Sequence, residues 1–176
     1  ENRIATCWYS MEDDADKIIK NRISIETGLS YNFQCGEEGK ITAEDIEAIT
    51  IAANRFRNNT IEFVDEPTKM RLISNHFRNF CSRHEDKINI LVIDNFFIST
   101  GLEETKENDT AKESRVASYI QNLNASLQAQ GYKALIIVLD HLKKELFENR
   151  ISSAYRPLPG MLKGSGRKGQ ILTQLI

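Results

Sequence analysis

The chain has 176 residues, 40% of them hydrophobic and 27% charged, with a net charge of −2. That composition provides for one soluble globular domain with a real core. The near-neutral balance gives no global sign of nucleic-acid binding, so any such signal has to be local. Cys7, Cys35 and Cys81 are far apart and odd in number, with no CxxC pair. This argues against a disulfide framework and a structural zinc site, and suits a reducing cytosol. Nothing resembles a signal peptide or a membrane span, so a cytoplasmic location is expected.

Taken in order, Arg3–Tyr9 (RIATCWY) reads as a short strand. The acids Glu12, Asp13 and Asp14 follow and suit the start of a helix, whose apolar positions are Ala15, Ile18, Ile19, Ile23 and Ile25. Gly28 and Gly36 bracket a loop. Thr42 begins a second helix, TAEDIEAITIAANRF, with Asp45 completing an approximate capping box and Ile46, Ile49, Ile51, Ala52 and Phe56 at helical spacing. Ile61–Val64 (IEFV) is a second strand. A third helix runs from near Pro67 to roughly His84, with Met70, Leu72, Ile73, Phe77 and Phe80 as its buried stripe.

The segment KINILVIDNFF, residues 87–97, is the most informative. Ile88, Ile90, Leu91, Val92 and Ile93 form a short, largely β-branched run of the kind buried on both faces of a parallel sheet. It ends on Asp94. Ser99–Glu113 is polar and without periodicity, and is expected to be a mobile surface loop. Ala111–Gln130 reads as a fourth helix with Val116, Tyr119, Ile120, Leu123 and Leu127 inward and Gly131 as its stop. Ala134–Leu139 (ALIIVL) is the last clear buried strand and also ends on an acid, Asp140. The sequence ends on a strand-like QILTQLI. A chain that starts and stops inside sheet-like segments reads as a piece of a larger protein. Strands alternating with helices predict an α/β fold with a mostly parallel sheet flanked by helices, a single domain over residues 1–176.

Three strand ends then carry polar residues toward one edge of the sheet, where open α/β sheets bind ligands: Glu12, Asp94 and Asp140-His141. Glu12 suits a general base that orients a water, Asp94 a Mg²⁺ ligand, and His141 a γ-phosphate sensor. Taken singly, each also reads as a helix-start acid, a strand-end cap and a loop histidine. Beyond His141 the composition turns basic. Lys143, Lys144, Arg150, Arg156, Lys163, Arg167 and Lys168 face two acids, Glu145 and Glu148, in a stretch broken by Pro157, Pro159, Gly160, Gly164 and Gly166. A positive loop of this kind suits contact with phosphates or a nucleic-acid backbone, and equally a solvated surface; Tyr155 and Phe147 are available to stack on bases. His76 and His84 read as structural.

The order of these elements resembles the motor domain of DnaB-type replicative helicases and phage primase–helicases, which is RecA-like. YSMED (Tyr9–Asp13) is similar to the family's glutamate segment, FSLEM. ILVIDNFF is similar to its Walker B strand, and LDHLKK (Leu139–Lys144) to the His-Leu-Lys form of its next strand end. RPLPGMLKGSGRKGQ (Arg156–Gln170) is similar to the segment RP…LRGSG…Q that closes the DNA-binding loop. The resemblance covers most of the chain. It implies Glu12 as the water-activating base with His141 as a second catalytic, phosphate-sensing residue, and Asp94 as the Mg²⁺ ligand. Lys143, Lys144 and Lys163 become DNA contacts, and Gln170 a nucleotide-sensing position. It further implies ATP or another NTP with Mg²⁺, single-stranded DNA, a hexameric ring and a possible primase partner. The departures are Lys163 for Arg, Gly164 for Glu, and the lack of any GxxxxGK[ST] phosphate loop. In the family that loop lies upstream of the glutamate strand and the arginine finger downstream of the glutamine, so the chain is expected to be a fragment that alone hydrolyses essentially no NTP. Two other readings are a recombinase- or clock-type ATPase of the RecA superfamily, and a degenerate RecA-like module that binds DNA or assembles without catalysis.

Overall fold

The computed structural model describes residues 3–95 and 108–139. Its elements are β1 (Ile4–Ser10), α1 (Ala15–Thr27), α2 (Tyr31–Gln34), α3 (Ala43–Arg57), β2 (Thr60–Val64), α4 (Met70–Arg83), β3 (Ile88–Asp94), α5 (Asp109–Ala129) and β4 (Ala134–Val138). The strands form one sheet in the order β2-β1-β3-β4, and every pairing is parallel. Parallel neighbours require crossover connections, and here each crossover carries helix.

The handedness rule assigns the faces. The chain steps from β1 outward to β2, then back across β1 to β3 and on to β4. Right-handed crossovers in opposite directions place helices on opposite faces. Accordingly α4 and α5 pack together on one face, over Ala5, Cys7 and Tyr9 of β1, Leu91 and Ile93 of β3, and Ile136 of β4. Their contribution is Met70, Ile73, Phe77, Phe80 and Cys81 from α4, and Val116, Ala117, Ile120, Leu123 and Leu127 from α5. On the other face α3 stacks Phe56 on Phe63 of β2, which in turn meets Trp8 of β1, with ring centroids 6.0 and 5.8 Å apart.

Helix ends follow local chemistry. The Asp14 carboxylate caps α1 by accepting from the Lys17 N–H at 2.7 Å. At α3 the expected capping box is complete: the Asp45 N–H donates to the Thr42 hydroxyl, and the Asp45 carboxylate accepts from the Thr42 N–H at 2.9 Å. Thr42→Ala removes one half of that box and is expected to cost about 1 kcal/mol of stability, read as a lower denaturation midpoint. At the end of α5, Gly131 at φ 82° lets its own N–H reach the Gln128 carbonyl and the Tyr132 N–H reach that of Leu127. This is a Schellman turn, and it aims the chain directly into β4.

Several expectations change. Periodicity places Ile25, Ile46, Ile51 and Leu72 inward, but all four are exposed, Ile25 to 75% and Leu72 to 51%. These helices cover the sheet on one side only, so their buried arcs are narrower than their apolar content. Leu72 lies off the arc set by Met70, Ile73, Phe77 and Phe80. The third helix starts at Met70, three residues after Pro67. The expected loop over 99–113 is partly helix: Asn108 caps α5 by accepting from the Ala111 N–H at 2.9 Å, and Glu113 is buried. Residues 99–107 lie outside the described segments. The strand expected at Ala134–Leu139 ends at Val138 and is buried on one face only, with Leu135 and Ile137 both 38% exposed.

Candidate active site at the ends of β1 and β3

Strand order reverses direction between β1 and β3, and in open α/β sheets such a reversal opens a crevice at the strand carboxyl ends. The two strands run in register from Ile4 beside Ile88 to Ser10 beside Asp94. Pairing continues one step further, where the Met11 N–H donates to the Asp94 carbonyl at 2.5 Å. The Ser10 side chain is buried and donates to the Asp13 carbonyl, which turns the chain from β1 toward α1.

This turn delivers Glu12 to the neighbouring strand end. The Asn95 amide, itself only 2% exposed, donates to Glu12 Oε1 at 2.7 Å. Glu12 is exposed and Asp94 half-buried. The site therefore presents one carboxylate to solvent, held at one oxygen by the Asn95 amide, with a second carboxylate on the adjoining strand. A carboxylate so placed can orient a water and accept its proton.

A divalent ion is the group this fold class implies at such a strand end. Among the described residues no cluster of three or more His, Cys, Asp or Glu side chains is placed to hold a metal. Mg²⁺ does not need one, because it is held by one or two carboxylates, with waters and substrate phosphates filling the remaining positions. The hard carboxylate oxygens of Asp94 fit that demand; thiol or imidazole donors would not.

Of the expected site residues, the described segments contain Glu12 and Asp94, which lie at the carboxyl ends of neighbouring strands. β4 lies beside β3 in parallel, and the Leu139 N–H donates to the Ile93 carbonyl at 2.9 Å, so β4 ends at the same edge. Asp140, His141, Lys143, Lys144, Lys163 and Gln170 lie outside the described residues. Asn95 is not among the residues expected from sequence, although an amide following an apolar run and its terminal acid is a usable signal. Equally unexpected is a polar group behind the strand end, formed by Tyr9, Glu62, His76 and Arg83. Its trace in the sequence is a lone acid inside IEFV.

An all-parallel sheet flanked by helices, with its strand order reversing beside an acidic strand end, is an open, doubly wound α/β fold. By comparison with solved structures, the fold matches the RecA-like one of DnaB-like helicase ATPase domains. The chain is similar to one such solved ATPase domain, with a TM-score of 0.78 and 18% identity over 95% of this chain and 56% of that one. It is also similar to a DnaB-like replicative helicase described with its interactions with primase, at a TM-score of 0.79 and 18% identity over 95% of this chain and 39% of that one. It thus spans about half, or less, of the length of these proteins. No family model and no curated protein matches the sequence. Among the described residues, no helix is long and apolar enough to cross a membrane.

Proposed function

We propose that residues 1–176 are a single, partial motor domain of a replicative DNA helicase. In this reading the intact protein hydrolyses ATP or another NTP with Mg²⁺ and translocates as a ring, a hexamer in the family it resembles, on single-stranded DNA in the cytoplasm. The observation that carries this is the Asn95-held Glu12 beside Asp94, at the strand-order reversal of a DnaB-like fold. Glu12 orients the attacking water and takes its proton. Asn95 holds the carboxylate, and the Met11–Asp94 hydrogen bond keeps the two strand ends in step. Asp94 would hold Mg²⁺, which when bound neutralises charge on the nucleotide phosphates. His141 and Gln170 take the phosphate- and nucleotide-sensing roles, and a primase partner follows from the same resemblance. The test is hydrolysis by the full-length protein with and without single-stranded DNA, compared with its Glu12→Gln variant.

Lys143, Lys144 and Lys163 are assigned to the DNA backbone. Lys143→Ala with Lys163→Ala is expected to weaken single-stranded DNA binding at every sequence. Two lost phosphate contacts should flatten the slope of log K against log salt by roughly 1.4. An unchanged slope returns that stretch to an ordinary solvated surface.

The same hydrolysis assay separates a second reading, an assembly or DNA-binding module without catalysis. Full-length protein that binds single-stranded DNA equally with and without nucleotide, and turns none over, would establish that reading instead.

A further inference from the structure

Behind the strand end that carries Glu12 lies a directed chain of hydrogen bonds that the proposed reaction does not use. Tyr9 is 2% exposed, and its hydroxyl lies 2.5 Å from His76 Nδ1. On the other side of the ring, His76 Nε2 is 2.7 Å from Glu62 Oε1. The second oxygen of Glu62 is taken by Arg83 Nη2 at 2.9 Å. Three elements meet here: β1 through Tyr9, edge strand β2 through Glu62, and α4 through His76 and Arg83.

The partners determine the tautomer. Glu62 accepts, so the imidazole proton belongs on Nε2, and Nδ1 is left to accept from the Tyr9 hydroxyl. Every donor then points down the chain toward the Glu62 carboxylate, which Arg83 neutralises. A doubly protonated ring would turn Nδ1 into a donor and strip the buried Tyr9 hydroxyl of its acceptor, since His76 is its hydrogen-bond partner among the described residues. Burial, with Cys7 and Glu62 adding to it, holds the Tyr9 phenol above its ordinary range, so it remains a donor. Cys7, the other titratable group against the ring at 4.0 Å from Nδ1, is pushed up to about 12 by burial and stays a thiol.

Tyr9 immediately precedes Ser10, Met11 and Glu12, whose contacts to Asp13, Asp94 and Asn95 define the turn. β2 is short and lies at the edge of the described sheet, so β1 depends on α4 as well as on its strand neighbours to hold its end in place. Ring contact reinforces the hydrogen bond: Tyr9 and His76 meet edge-on with centroids 5.9 Å apart. We infer that His76 is a positioning residue for Glu12, acting through Tyr9 to fix the carboxyl end of β1, with Glu62 and Arg83 setting the orientation of its imidazole. The inference rests on the catalytic role proposed for Glu12, but the bond itself can be read without activity.

The experiment uses full-length protein and four variants: Tyr9→Phe, His76→Leu, the double variant, and His76→Gln. Tyr9→Phe removes one oxygen from a buried ring and leaves the fold in place. His76→Leu and Tyr9→Phe are each expected to lower kcat for NTP hydrolysis by roughly 10- to 100-fold with KM and nucleotide affinity unchanged, the scale of a misplaced catalytic group. The double variant should lose no more than either single one, because both cut the same bond. His76→Gln, which both donates and accepts, should recover most of the rate. In parallel, the Met11 amide should exchange faster with solvent in Tyr9→Phe and His76→Leu, and at the wild-type rate in His76→Gln. Unchanged kcat, or losses that add in the double variant, would overturn the inference. If the wild-type protein hydrolyses nothing, the helicase reading fails and Met11 exchange alone decides: faster exchange in Tyr9→Phe upholds the positioning bond, and unchanged exchange removes it.

Discussion

Glu12→Gln in the full-length protein is expected to keep nucleotide affinity and lower the turnover number by roughly 10²- to 10⁴-fold, the range for removing a general base. The substitution suits the geometry. Asn95 donates to Glu12 Oε1, and a glutamine side-chain carbonyl in the same position accepts that bond equally well. The turn from Ser10 to Asp13 involves the Ser10 hydroxyl and the Asp13 carbonyl, neither of which the substitution touches. What disappears is the capacity to take a proton. Titration with a nucleotide analogue and a steady-state hydrolysis assay separate the two effects. If binding falls along with turnover, Glu12 is a structural acid and the base lies elsewhere. If turnover is untouched, the assignment of the site to these two strand ends is wrong.

Phe77→Ala is expected to cost about 3–5 kcal/mol, a large share of the roughly 5–15 kcal/mol that holds a typical domain together. Phe77 is fully buried on α4, where its ring stacks on Phe80 at 6.0 Å and sits within the cluster joining α4, α5 and the sheet. Close-packed surroundings cannot collapse into the volume of a lost ring, so a cavity term adds to the lost transfer energy. The midpoint of urea denaturation should fall by about 2 M for a loss of about 4 kcal/mol at a slope of about 2 kcal/mol per M. Trp8 is the only tryptophan in the chain and lies on β1 against Phe63, which makes its fluorescence a direct report on the sheet. Leu72→Ala, on the same helix but on its exposed side, is the matched comparison and should change stability by less than about 0.5 kcal/mol. Equal losses at the two positions would mean that the α4 face is assigned incorrectly.

The two substitutions probe different layers of what can be read from sequence. The alternation of strands and helices, the span of β3 at Ile88–Asp94 and the capping box at Thr42 all depend on residues within a few positions of one another. Local rules reach them. Inward faces are less legible. Ile25, Ile46, Ile51 and Leu72 satisfy a helical period but lie on the solvent side, because a helix covering one sheet face buries a narrower arc than apolar spacing suggests. The start of α5 is legible to within two residues, a helix being expected from Ala111 and beginning at Asp109. Its first turn is polar, and its cap is a side-chain bond from Asn108 that carries no hydrophobic signal.

The candidate site divides along the same line. An acid after a β-branched run and an acid after YSM are visible as residue types in order, and that order implies convergence at one edge of a parallel sheet. Which strand adjoins which is not visible. Placing β1 between β2 and β3 sets Ser10 beside Asp94 and brings Asn95 within 2.7 Å of Glu12, across 83 residues of chain. The chain from Tyr9 through His76 to Glu62 is likewise a product of that arrangement, joining residues 67 apart at its first link. By itself the sequence determined the class of fold, the four described strands, the four longer helices and the positions of the two acids, since each follows from local periodicity and strand-end chemistry. It did not determine the short α2 between Gly28 and Gly36. The tertiary structure alone decided what holds those acids, because the partners lie on strands and helices that only the crossovers bring together.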